Sequence, residues 1–127
     1  MNNKEKGYRY EDIAISYLIR KGHKIIRRNY HSRHGEIDII SLDGDTLVFT
    51  ECKFRSSDNF GSPLEAVTIT KQRRICHTAM CFYAASPYNE DKNCRFDVIA
   101  VHGDGTVEHI ELSLIHISEP TRRVVIS

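Results

Sequence analysis

GEIDIISLDGDTLVFTECKFR, residues 35–55, is the stretch whose reading decides the fold. Two alternating runs, Glu36–Ser41 and Thr46–Lys53, flank Asp43-Gly44. Asp-Gly between alternating segments signals a tight β-hairpin. With that dipeptide at the tip, Leu42 pairs with Asp45 and Ile40 with Leu47. Continuing the ladder sets Asp38 opposite Phe49 and Glu36 opposite Glu51, all on one face by the period of two. Lys53 lies on that face too, about 7 Å along the strand from Glu51. The other face takes Ile37, Ile39, Val48 and Cys52, an ordinary core set. Three carboxylates and one amine are thus expected on a face they share with Ile40, Leu47 and Phe49.

Such crowding is costly unless something compensates it. Two carboxylates roughly 5 Å apart at an effective dielectric near 20 repel by about 3 kcal/mol. That is a large share of a domain stability of about 5–15 kcal/mol. Protonation, Lys53 as counter-ion, or a bound divalent cation would each relieve it. Asp38 and Glu51 are oxygen donors suited to Mg²⁺, which takes one or two carboxylates and keeps several waters. A solvated sheet face with scattered charges accounts equally well for the spacing alone.

A chain of 127 residues suits one domain with a real core. With 40% hydrophobic and 28% charged residues it is composed like an ordinary globular protein, which argues against global disorder. The formal net charge of +1 predicts no partner, but its distribution does. Residues 1–34 hold nine Lys/Arg against three Asp/Glu, and the remainder holds nine against fourteen. A basic N-terminal third beside an acidic pocket suits a polyanion bound over a metal site, and equally a merely solvated basic face. The four cysteines show no CxxC pair and read as reduced thiols of a cytoplasmic protein. No apolar run approaches the length of a membrane span, and the start MNNKEKG lacks a signal-peptide core.

In chain order, Tyr10, Ile13, Ala14, Tyr17 and Leu18 make an amphipathic stripe on a helix expected over 7–21. Glu11 borders that stripe and either reaches the sheet or simply favours the first helical turn. Residues 23–31 read as a strand with Arg27 and Arg28 on opposite faces. After the hairpin and a polar loop, Ser62-Pro63-Leu64-Glu65 is a helix start. A helical segment follows over 71–84, with Ile75, Ala79 and Phe82 as its core stripe. Gln72 extends the stripe toward the helix start, where Lys71, Arg73 and Arg74 cluster. A strand over 95–102 and a short strand over 107–111 complete the domain, placed at 1–111. The order predicts an α/β fold with a mixed sheet, one strand returning through a helix crossover. Residues 112–127 continue no pattern. SLIHISEPTRR resembles a translated sequencing adapter, and the segment is expected to pack little.

An acidic residue on one strand and Glu-x-Lys on the next, in an αβββαβ order, resembles the PD-(D/E)XK restriction-endonuclease-like superfamily. More closely, YEDIAISYLIRKG, RRNYHSRHGEIDII, VFTECKFR, FGSPLEAVT with KQRRI, and RFDVIAV are similar to the bacterial YraN-like family of small proteins taken to be endonucleases. The resemblance spans roughly residues 7–101, with Cys52 where valine is usual. It implies a metal-dependent nuclease acting on nucleic acid, DNA foremost. By that resemblance Asp38 and Glu51 hold Mg²⁺ or Mn²⁺ with the Cys52 carbonyl, Glu36 is a further candidate ligand, and Lys53 acts on the water or the phosphate. Glu11 matches the first-helix glutamate, and Gln72 falls near the second-helix polar position. Arg27, Arg28, Arg33, Lys71 and Arg74 are candidates for phosphate contacts, which fix register without reading sequence. A homodimer is left open. Two rivals stand beside this reading. One is a non-catalytic nucleic-acid-binding domain on the same fold, the other an interaction module whose Asp38, Glu51 and Lys53 make only a salt-bridge network.

Overall fold

The computed structural model describes residues 3–33, 35–55, 69–85 and 93–116. Along the chain run α1 (Asn3–Arg20), β1 (Lys24–Ser32), β2 (Gly35–Asp43), β3 (Thr46–Arg55), α2 (Ile69–Ala85), β4 (Asn93–His102) and β5 (Val107–His116). The five strands form one sheet in their sequence order. Pairing is antiparallel except between β3 and β4, which lie parallel. Antiparallel neighbours can be joined by tight turns, whereas a parallel pair needs a long crossover, and α2 lies within that connection. The fold is therefore α/β with a mixed sheet, as the element order predicts.

Helix α1 buries the expected stripe. Ala14 and Leu18 pack on Ile39, Ile99 and Val101, with Tyr10, Ile13, Tyr17 and Cys52 at the margin. Helix α2 sets Ile75, Cys76, Ala79, Phe82 and Tyr83 against Ile40, Leu47, Phe49, Phe96 and Val98. Ile39 and Ile40 are neighbours with opposite partners, so the two helices cover opposite faces of the sheet. Helix α1 begins four residues before the expected Gly7, and α2 begins at Ile69, two residues before the expected start at 71. The helix start at 62–65 and the polar loop after Arg55 lie outside the described residues.

The hairpin register differs from expectation by two residues. Asp43 pairs with Thr46, Leu42 with Leu47 and Ile40 with Phe49, leaving Gly44 and Asp45 as the loop. Gly44 alone of the two takes positive φ, at 61°, as a type II′ turn requires of its first central residue. Asp43 stays in the strand, where the Arg95 guanidinium holds its carboxylate at 3.2 Å. A shift of two preserves parity, so Ile40, Leu47 and Phe49 still share a face. Phe49, however, lies opposite Ile40 and not Asp38.

The expected alternation fails at Asp38. Ile37 packs with the α2 cluster and Ile39 with the α1 cluster, although both were assigned to one face. On the neighbouring strand Asn29 adopts φ 51°, between the pairs Arg28–Ile39 and Tyr30–Ile37. A left-handed residue inside a strand re-aims its neighbours, and asparagine tolerates that conformation better than most. Glu36 pairs with His31 of β1, and the β2–β3 ladder ends at Ile39–Thr50 before reaching it, so it does not pair with Glu51.

Strand β5 extends to His116, past the expected end at Glu111. Leu112 packs on the α2-side core, and 113–116 pair with 93–96 of β4. The remainder of the supposed tail lies outside the described residues.

Candidate active site

Past Ile39–Thr50 the regular β2–β3 ladder ends, and a side chain takes over. The Cys52 backbone N–H donates to Asp38 Oδ2 at 2.8 Å. A carboxylate has about four lone-pair positions, so this bond leaves Asp38 with acceptor capacity. Burial, and then the Glu51 charge, push the Asp38 carboxyl up to about 7, against the lowering effect of the Cys52 N–H. Glu11 and Glu36 add smaller repulsions. The crowding of carboxylates inferred from spacing is thus present, although Asp38 reaches it through the end of the ladder and not opposite Phe49.

Glu51 follows Phe49 on β3 and is itself buried. Lys53 Nζ lies 3.4 Å from Glu51 Oε1, and both side chains are largely covered. Period-two alternation accounts for this pair: residues two apart on a strand point the same way.

Glu11 reaches the same region from α1. Burial raises its pKa, opposed by a hydrogen bond from Asn29 and the charge of Arg28. Its Oε1 is buried without a hydrogen-bond partner, a costly state for a carboxylate oxygen. Asn29 was missed in the sequence. Its signal was an asparagine inside an otherwise β-like run, a residue type depleted from strands.

The other candidates divide. Glu36 is exposed and bonded to His31 Nδ1 at 3.1 Å, so it acts on Asp38 only as a distant charge. Arg28 pairs with Asp12 of α1 at 2.8 Å beside Glu11. Arg27 is exposed, its guanidinium 5.7 Å from the Tyr30 ring centroid. Arg33 is exposed at the β1–β2 turn. Arg74, also exposed, comes down beside the start of β2. Gly35 there has φ 144°, and a Cβ on it would sit 3.4 Å from Thr78 Oγ1 and 3.9 Å from Arg74 Cβ. Lys71 and Gln72 lie in the first turns of α2, but their side chains are outside what is described.

A donor set of Asp38 and Glu51 fits a hard divalent cation by its chemistry. The proton that burial and Glu51 force onto Asp38 marks a place where positive charge is wanted. Among the described residues no group of three or more His, Cys, Asp or Glu side chains converges to hold a metal unaided.

A second polar cluster, unseen in the sequence, occupies β4 and β5. Asp97 is fully buried. It receives hydrogen bonds from Arg95 Nε at 2.7 Å and Nη2 at 3.0 Å, and its Oδ2 lies 2.6 Å from His109 Nε2. His109 Nδ1 meets the Tyr17 hydroxyl at 3.1 Å. Arg95 also reaches Asp43 and Glu111. Burial alone would raise Asp97, but the bonds from His109 and Arg95 outweigh it and hold the carboxyl below its usual range.

Comparison with known proteins gives the lineage. A UPF0102 protein of Chlorobium chlorochromatii is 44% identical over 116 residues, covering 84% of this chain and 88% of its own. One of Prosthecochloris aestuarii is 50% identical over 99 residues, covering 78% and 77%. One of Vibrio cholerae is 39% identical over 112 residues, covering 87% and 90%. The model of the Uncharacterised protein family UPF0102 matches residues 10–101, a span holding Glu11, Asp38, Glu51 and Lys53. The YraN-like resemblance and this match concern the same family, and the chain belongs to UPF0102.

Proposed function

We propose that this chain is a divalent-metal-dependent endonuclease of the PD-(D/E)XK type, hydrolysing phosphodiester bonds in nucleic acid, DNA foremost. One observation carries the reading. Two carboxylates from adjacent strands, the half-buried Asp38 and the buried Glu51, repel each other at a break in the ladder, with Lys53 alongside. A cation-free structural role gains nothing from that repulsion. The order α1-β1-β2-β3-α2-β4 also suits the superfamily's core, with β5 added at the edge.

Asp38 and Glu51, with the Cys52 carbonyl, would hold Mg²⁺ or Mn²⁺. When bound, the ion supplies Lewis acidity toward a phosphate oxygen and makes water a better nucleophile near neutral pH. The chain's own groups do the rest. The Cys52 N–H fixes the Asp38 carboxylate, so its free lone pairs keep one direction. Lys53, held beside Glu51, is placed to orient the attacking water or to neutralise charge developing on the phosphate. Glu11, with one oxygen unpartnered, offers a second carboxyl able to take or hold a proton. Arg27, Arg33 and Arg74 are exposed cations able to meet flanking phosphates.

A second reading has its own support: the Glu51–Lys53 contact at 3.4 Å is also what a salt-bridge module without catalysis would contain. Incubation with labelled linear and branched DNA and RNA, with Mg²⁺, Mn²⁺ or EDTA, separates the two. The nuclease reading expects metal-dependent cleavage of at least one substrate, lost in Glu51→Gln and Lys53→Ala. Cleavage of none by wild type rejects it. Retained binding would then leave a non-catalytic nucleic-acid-binding domain.

A further inference from the structure

Asn29 alone among the described non-glycine residues takes positive φ, at 51°, and it does so inside β1. The β1–β2 ladder pairs Arg28 with Ile39 and Tyr30 with Ile37, and skips the pair that Asn29 and Asp38 would make. The outlier therefore stands across from the β2 residue whose carboxylate accepts the Cys52 N–H. It also meets α1, where its side-chain amide donates to the Glu11 carboxylate. The adjoining residues on both elements are joined as well, Arg28 to Asp12 at 2.8 Å. Two neighbouring pairs thus tie α1 to β1 at the level of Asp38.

A left-handed backbone is unfavourable for a residue with a side chain and persists only where the surroundings impose it. Glycine would take it more readily, so the backbone alone gives no reason for an asparagine. The amide gives one. Glu11 keeps its Oε1 buried without a hydrogen-bond partner, a costly state that needs something to hold it. Its charge acts on Asp38 from α1, as that of Glu51 does from β3.

We propose that Asn29 is a positioning residue of the carboxylate site: its backbone sets Asp38 at the break in the ladder, and its amide holds Glu11 as a further negative charge beside the cation's place. This rests on the metal-site reading above and deepens it. Glu11 then contributes by charge and as an open acceptor for water ordered there. It is not a third ligand, since among the described residues no three such side chains converge.

Two substitutions separate the roles. Asn29→Gly keeps the left-handed backbone, and with it the place of Asp38, but deletes the amide. Glu11→Gln keeps the shape of the side chain and deletes its charge. Binding of Mn²⁺, read from the paramagnetic resonance signal of the free ion, needs no cleavage. Each substitution should weaken it about fivefold, the size of one lost hydrogen bond. The double variant should lose no more than either alone, because the amide acts through Glu11. A purely structural asparagine would not show that dependence. Thermal unfolding in EDTA should stay cooperative in all three variants. If Asn29→Gly binds Mn²⁺ as tightly as wild type, or the two losses multiply in the double variant, the amide does not position Glu11; the proposal fails and the metal site stands. If Glu11→Gln binds like wild type, Glu11 is no part of the site and the proposal fails again. If wild type binds no Mn²⁺, the metal-site reading fails and the proposal with it. If the pattern holds but no nucleic acid is cleaved, the positioning role stands without the nuclease.

Discussion

Asp38 on β2 and Asp97 on β4 flank the same strand, β3, and the fold treats them in opposite ways. Asp97 is the more deeply buried, yet Arg95 and His109 surround it so completely that it stays ionised more readily than a carboxyl in water. Asp38 is bonded to one backbone N–H and faces Glu51, and it holds its proton up to about 7. Helix α1 serves both: Tyr17 completes the Asp97 chain, while Glu11, about 9 Å back along the helix, brings a further unsatisfied oxygen to Asp38. The difference separates a scaffold from a site. Buried charge used for structure is fully partnered; buried charge left short of partners is where the fold keeps capacity for something it does not itself contain.

The comparison breaks most visibly by removing Asp97. Asp97→Ala leaves Arg95 and His109 facing one another in a covered region, so unfolding in urea should show a loss of about 3–5 kcal/mol. Asp38→Asn, which keeps an acceptor for Cys52 and deletes the charge, should leave stability without metal equal to or above wild type. A loss as large as that of Asp97→Ala would make Asp38 part of the scaffold.

Stability against pH sharpens the same contrast. Asp38 binds its proton more tightly folded than unfolded. Its contribution is therefore full below about pH 4 and lost as pH rises through about 7, by at most about 4 kcal/mol. Asp97 has the opposite sign. Its contribution is present above the ordinary aspartate range and lost as pH falls through its depressed value. Urea midpoints between pH 4 and 8 should show a fall toward neutrality that Asp38→Asn removes. Asp97→Asn should instead flatten the acid side. If Asp38→Asn leaves the neutral-side profile unchanged, the raised pKa is wrong.

How much of this was legible beforehand depended on how local the cause was. The α1 and α2 stripes, the hairpin and the Glu51-Cys52-Lys53 spacing are set by residues close in the chain. The hairpin register was not. Asp43-Gly44 reads as a loop tip until Arg95, on a distant strand, is seen holding Asp43 in the ladder. Nor could periodicity find Asn29, because one left-handed residue inverts the alternation on which such reading rests. The Asp97 cluster draws Tyr17, Arg95 and His109 from three elements, and no local pattern joins them; Tyr17 reads only as part of the α1 stripe. The extension of β5 rests on pairing with β4, which no local pattern announces.

A smaller effect checks the extent of the scaffold. Tyr17→Phe removes one hydroxyl contact to His109 and keeps the ring that packs against it. A cost of about 1 kcal/mol is expected. A cost near that of Asp97→Ala would mean that the chain of bonds acts as one unit.

The central claim is that Asp38 and Glu51 are opposed until a cation joins them, and a metal titration followed by thermal unfolding tests it most directly. Mg²⁺ or Mn²⁺ at a hundredfold excess over its dissociation constant should stabilise wild type by about 2.7 kcal/mol. Glu51→Ala should be at least as stable as wild type in EDTA and gain nothing from metal. If metal leaves wild type unchanged and Glu51→Ala is strongly destabilised in EDTA, then Glu51 is the structural partner of Lys53, and the site is a salt bridge with no metal to serve.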